Sequence, residues 1–285
     1  MYFLFVFMMM LSCCFCQENR NEISSFTREL PSLLQEEKWE EVVLLGEKAL
    51  QEELPSLEKF IILDQLISSY FRLGLFEEAK EKANSLVILG ETLNQPQAVV
   101  DSFYKLSAAL RGAADSEKDP LKKRELFSEC YFAIEKAFTI CEEKCSENKA
   151  LKARVLFNRG ALHCDDPIGD VRLGITYYLE AISLFKELHE VDFTQRMLIR
   201  LGKAYFLLGD FIQSRQVIEE LKGETLEKRT YMHMLYLEAQ VCLEEKNKKG
   251  ALEIALQGKE MAISLHARHD LDRFEILIKK VYHNV

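Results

Sequence analysis

Glycine and proline are scarce in this 285-residue chain, at 12 and 5. So few turn formers exclude an all-β fold, which needs a tight turn about every ten residues. Basic residues are in the minority, 37 Lys and Arg against 46 Asp and Glu, for a net charge of −9. Nucleic-acid binding rests on phosphate neutralisation, so this balance argues against such a partner while leaving room for local basic patches. No glycine-rich phosphate loop, GxSxG elbow, HExxH helix or paired-cysteine zinc spacing occurs. Nothing in the sequence points to a cofactor. Beyond residue 16 no apolar run approaches the roughly 20 residues that a membrane-spanning helix needs.

What is present is a chain 48% apolar and 29% charged, enough to bury one sizeable core or a long stacked one. Three of the eight cysteines, Cys13, Cys14 and Cys16, lie in the first 16 residues. Cys130, Cys141, Cys145 and Cys242 replace small apolar residues on helix faces and read, with Cys164, as buried reduced thiols. Cys141 and Cys145 share a helix face, but two ligands do not make a zinc site.

The stretch 2–16, YFLFVFMMMLSCCFC, carries no charge. It is short for a permanent anchor and suits the apolar region of an export signal. Leu11-Ser12-Cys13-Cys14 also resembles the bacterial lipoprotein processing box, which would make Cys14 the lipidated residue. Cys13 stands where a smaller residue is usual, and the first basic side chain is Arg20. The competing reading is a short hydrophobic tail on a cytosolic protein. The chain thus divides into a signal-like segment, 1–16, and one domain, 17–285.

Within that domain, helix follows helix. The expected pairs are Glu22 to Gln35 with Trp39 to Gln51, Leu57 to Leu73 with Phe76 to Leu89, and Gln97 to Gly112 with Leu121 to Glu143. Lys149 to His163 pairs with Ile168 to Leu188, Phe193 to Leu208 with Phe211 to Leu221, and Leu226 to Leu243 with Gly250 to His266. Leu271 to Tyr282 remains as a terminal helix. Asp119-Pro120 and Asp166-Pro167 each read as a capping Asp before a proline at the first helical position. Pro31 starts or bends its helix. In LGKAYFLLGDFIQSRQVIEEL, residues 201–221, Gly209 breaks one helix and Asp210 caps the next.

One small residue recurs in each second helix: Val42, Ala79, Cys130, Gly174, Ser214 and Ala251, at spacings of 37, 51, 44, 40 and 37. Helices that meet at such positions approach too closely for a larger side chain. With LGKAYFLLGDFIQS, with LISSYFRLGLFEEAKEKA (66–83) and with YLEAQVCLEEKNKKGALEIA (236–255), this pattern resembles the tetratricopeptide repeat. The long, uneven period is similar to the extended-helix members of that superfamily. The fold class is therefore all-α: a solenoid of about six antiparallel helix pairs plus a C-terminal capping helix. An up-down bundle around one central core is the alternative.

The resemblance implies a concave groove lined by the first helix of each pair, with partner-facing residues at its second, fifth, sixth and ninth positions. Taking Gly202 as the eighth position carries these onto Arg196, Ile199, Arg200 and Lys203. Gly160 in that place gives Arg154, Phe157, Asn158 and Ala161; Ala239 gives His233, Tyr236, Leu237 and Gln240. Arg196, Arg200 and Lys203 form one basic stripe. Asn158, Arg196 and Arg200 are similar to members of the carboxylate clamp of some tetratricopeptide domains, with Lys105 as a fourth if Ala108 takes the eighth position. Guanidinium groups suit carboxylates because they donate two parallel hydrogen bonds.

The function expected is a non-catalytic scaffold, exported or membrane-associated through its first residues, that holds a polypeptide. The partner would be acidic or present a free C-terminal carboxylate. The rival is a cytosolic chaperone or peptide-sensing regulator whose N-terminus is no signal. A third possibility is an enzyme built on His163-Cys164-Asp165-Asp166, the one dense cluster of reactive side chains.

Overall fold

A computed structural model describes residues 25–283 of the chain, so the signal-like segment and Cys14 lie outside the described residues. Thirteen α-helices and no strand occur among them. In chain order they are α1 Ser25–Gln35, α2 Trp39–Ala49, α3 Ser56–Leu73, α4 Phe76–Leu93, α5 Pro96–Ser116, α6 Pro120–Lys144 and α7 Lys149–Asp165. The array continues with α8 Val171–Glu187, α9 Val191–Leu207, α10 Phe211–Lys222, α11 Lys228–Glu244, α12 Lys248–Ser264 and α13 Arg268–His283. These are the six expected pairs and the terminal helix.

Several ends differ from expectation. Pro31 lies inside α1. Helix α5 runs four residues past Gly112, because Ala113 and Ala114 are buried and continue its packed face. Asp166 does not begin a helix. It follows α7, and its carboxylate accepts the Ile168 amide at 3.1 Å within a turn. Asp170 does the capping instead, accepting from the Arg172 and Leu173 amides ahead of α8. Asp119 and Asp210 cap as expected, accepting from Leu121 and Gln213.

Burial runs along the array as successive clusters, each shared by adjacent pairs. Val42, Ile62, Leu66, Ala79 and Leu86 hold the first turns together. Val100, Phe127, Cys130, Ile134 and Val155 hold the next. Leu156, Tyr178, Phe185, Ile218 and Leu235 follow, and Met232, Ala255, Ala262 and Phe274 end the series. A bundle around one central core would not divide its apolar side chains this way. Nearest-neighbour burial is the solenoid's signature.

All six recurrent small residues are buried. They mark where paired helices nearly touch. Ser214 Oγ donates to the Gly202 carbonyl at 3.0 Å, and Cys130 Sγ to that of Ser107 at 3.5 Å. A Cβ on Gly160 would lie 2.9 Å from the Gly174 carbonyl oxygen. These contacts also set the register of α5. Ser107, not Ala108, faces the small residue of its partner helix, as Gly202 and Gly160 do.

The superhelix curls until its last helix reaches the second and third pairs. Nearest to the added Cβ of Gly74, in the α3–α4 turn, is the His269 Cβ at 3.7 Å, and the Phe76 and His269 rings stand edge to face at 5.7 Å. His269 Nε2 also lies 3.8 Å from Asp115 at the end of α5. The first helices of the pairs therefore surround a hollow that α13 closes.

Two substitutions separate steric from conformational demand. Gly160→Ala forces a Cβ against the Tyr178 ring at 2.8 Å and the Gly174 backbone. It should cost about 1–3 kcal/mol in urea unfolding. Gly209→Ala has nothing within 4 Å to meet but inherits a φ of +75°. It should cost about 1 kcal/mol through backbone strain alone.

Candidate functional site

The hollow contains a cavity of about 400 Å³, within the range of roughly 300–1,000 Å³ usual for ligand pockets. Its wall comes from α3, the start of α4, α5, α7, α9, α11 and α13. Its apolar lining is Phe71, Phe76, Ile199, Tyr236 and Leu237. Charged side chains stand among these, and unevenly so, with Arg273 4.2 Å from the Tyr236 ring centre. Arg72, Arg111, Arg200, Lys203, Arg229 and Arg273 face three carboxylates, Asp115, Asp165 and Asp270. A chain carrying a net charge of −9 therefore encloses a cationic hollow. Low-dielectric walls focus such a field on an anion.

Two buried carboxylates organise the cations. Asp165, the last residue of α7, accepts from Arg111 at 2.6 Å, Arg200 at 3.2 Å and Lys203 at 2.7 Å. Its side chain is 10% exposed. Burial pushes its pKa up, but Arg200, Lys203 and Arg111 together outweigh that and hold the carboxyl far below the usual range. Asp270, in the first turn of α13, lies 3.4 Å from both His233 and Arg273 and 3.9 Å from Arg229. Against the upward push of burial, these neighbours lower its pKa to about 2. Burial in turn lowers the pKa of His233, although Asp270 opposes this.

Of the ten candidate groove residues, Ile199, Arg200, Lys203, His233, Tyr236 and Gln240 converge on the cavity. The other four lie elsewhere. Asn158 is buried, and its side-chain amide donates to the Arg154 carbonyl one turn back at 3.0 Å. Phe157 packs toward α8, 5.9 Å from the Tyr178 ring. Arg154 and Arg196 both stand near the Phe193 ring, 5.8 and 5.6 Å from its centre. Arg196 also donates to Glu227 at 2.8 Å. Lys105 is held between Asp64 and Asp101, donating to the latter at 2.6 Å. The proposed clamp positions are thus internally engaged. The cavity's other cations, Arg72, Arg111, Arg229 and Arg273, lie on α3, α5, α11 and α13 and were not among the expected groove positions.

The reactive cluster disperses. His163 packs between Tyr131 and Tyr177, at ring distances of 5.4 and 5.8 Å. Asp165 faces the hollow and Asp166 holds its turn. Burial raises the Cys164 thiol to about 11, the opposite of what a nucleophile needs. Among the described residues no cluster of His, Cys, Asp and Glu has the makings of a metal site, and no helix is long and apolar enough to cross a membrane.

No family model and no curated protein matches the chain in sequence. Solved structures do match its fold. The apo form of RapI aligns with a TM-score of 0.53 and 12% identity, over 90% of this chain and 95% of that one. The TPR2AB domain of yeast Sti1, in its pHSP90 complex, aligns over 90% of this chain and 97% of that one, at 15% identity and a TM-score of 0.37. At such identities the likeness to RapI speaks for the fold. The chain folds as a tetratricopeptide-like α-solenoid.

The internal ion pairs should be visible in stability. Asp165→Asn leaves three cations facing a neutral amide and should cost about 3 kcal/mol or more in urea unfolding at pH 7. Asp270 ionises more readily folded than unfolded. Its contribution is therefore complete above about pH 4 and disappears as the pH falls toward 2. Asp270→Asn should remove that acid limb from a pH series of melting temperatures and lower stability at pH 7 by about 2 kcal/mol.

Proposed function

We propose that this protein is a non-catalytic scaffold that holds a polypeptide segment in the hollow of its solenoid. The observation that carries this is the cavity itself, lined both by apolar side chains, Ile199, Tyr236 and Leu237, and by cations, Arg200, Lys203 and Arg273. Apolar side chains anchor a bound segment and a few charges orient it. The cationic excess favours an acidic segment or one ending in a free carboxylate. In this reading the cations serve recognition, not bond-making.

The first sixteen residues, in this reading, export the protein or tether it to a membrane, with Cys14 as the candidate acceptor of lipid. The mass of the mature N-terminus in fractionated cells should then show loss of residues 1–13 or 1–16, and an intact N-terminus in the soluble fraction would favour the cytosolic alternative.

The groove is tested by crosslinking in cells and identification of the bound segments. Arg200→Ala combined with Tyr236→Ala should reduce the recovered crosslinks about tenfold or more, because anchors of this kind carry most of the energy at an interface. Unchanged recovery with unchanged helicity would remove the groove as the binding surface.

A further inference from the structure

The charge in the hollow is not evenly compensated, and the imbalance has a location. Arg200, Lys203 and Arg111 share Asp165, and Arg273 lies beside Asp270. The remainder is Arg72, on α3, and Arg229, at the start of α11. Arg196 donates to Glu227 at 2.8 Å. Arg229, whose side chain is 11% exposed, has its nearest carboxylate in Asp270 at 3.9 Å, already engaged by His233 and Arg273. No carboxylate among the described residues lies within 4.0 Å of Arg72. Its guanidinium instead stands over the ring of Trp39, 5.5 Å from the ring centre. Arg72 and Arg229 both line the cavity.

The titration behaviour agrees with this geometry. Burial lowers the pKa of Arg72 to about 10, and the charges of Arg229 and Arg196 lower it further than Glu227 restores it. Glu227, pushed up by burial, is nonetheless held below its ordinary value by Arg196, Arg72 and Arg229. Arg72 and Arg229 thus line the cavity with more positive charge than nearby carboxylate, in a partly desolvated place. Such a cluster is stabilised by a further anion.

We propose that Arg72 and Arg229, backed by Arg196, form an anion subsite of the hollow that takes the side-chain carboxylates of an acidic peptide segment, with Glu227 as its internal competitor. This rests on the reading of the hollow as a peptide groove, and it names the part of that groove that selects the ligand. A peptide suits the site better than a bare anion because the adjoining wall is apolar, with Phe71 and Phe76 beside Arg72. The pair of arginines comes from the second and the sixth helix pair, so no single repeat contains the subsite.

Trp39, the only tryptophan in the chain, reports on it through Arg72. The probe is N-acetylated, C-amidated triglutamate, which has no terminal carboxylate, titrated into the full chain with Trp39 emission and calorimetry as readouts. Triserine and inorganic phosphate are the comparisons. Triglutamate should bind saturably, and Arg72→Gln and Arg229→Gln should each weaken it about tenfold or more, the loss expected for one charged hydrogen bond. Glu227→Gln should tighten it, a gain that a misfolded variant cannot produce. Equal affinity in both arginine variants, a Glu227→Gln protein that binds no tighter than wild type, or phosphate binding tighter than triglutamate would overturn the subsite. If triglutamate fails to bind while crosslinking through Arg200 and Tyr236 persists, the subsite falls and the groove stands. If that crosslinking is also absent, both fall.

Discussion

The structure depends on how closely the two helices of each pair approach one another. At Gly202 and Ser214, and again at Gly160 and Gly174, the backbones come near enough for a side-chain oxygen to reach the opposite carbonyl or for an added Cβ to overlap it. That contact fixes the angle within a pair. Each pair then offers its neighbours the same surface, and the angle repeats along the chain. Curvature is its consequence. A hollow appears because the first helices α3, α5, α7, α9 and α11 are held on the inner side.

Once the array is curved, charge is sorted by radius. The outer surface carries pairs such as Lys149 with Glu187 and Lys136 with Glu91, both well exposed and of little energetic weight. Inside, side chains from helices far apart in sequence are forced together at low solvent exposure, where each unpaired charge costs more. Asp165 and Asp270 answer part of that cost, each collecting cations from two or more helices. The closure at His269, against Gly74, Phe76 and Asp115, completes the wall and gives the cavity its second end. A region left with more cations than carboxylates is then available to an anionic partner.

The helices, their pairing and most of their caps were legible from residues alone. Gly209 and Asp210 act locally: a positive φ and a carboxylate three residues from an amide are properties of a few consecutive residues. The same holds for the small residues at Val42, Ala79, Cys130, Gly174, Ser214 and Ala251, whose recurrence needs no coordinates to be seen. Asp166 was misread because a capping Asp followed by a proline is a local signal with two outcomes. Here Gly169, tight against the His163 carbonyl, lets the chain turn once more before α8 begins. The register of α5, taken conditionally through Ala108, needed tertiary structure, because only the contact between Cys130 and Ser107 fixes the count.

The hollow's charge was only half legible, for a different reason. Arg200 and Lys203 lie on one helix face, and spacing alone puts them together. Their partner Asp165 lies 35 residues from Arg200, and Arg111, which shares it, belongs to another helix again. Arg72 and Arg229 are farther apart still and line one cavity only because the superhelix closes on itself. By itself the sequence determined local matters: helix, turn, cap and repeated contact, all set by forces between near neighbours in the chain. Tertiary structure decided which charges meet across the hollow, because that depends on the summed angles of many helix pairs and no short stretch of residues contains the sum.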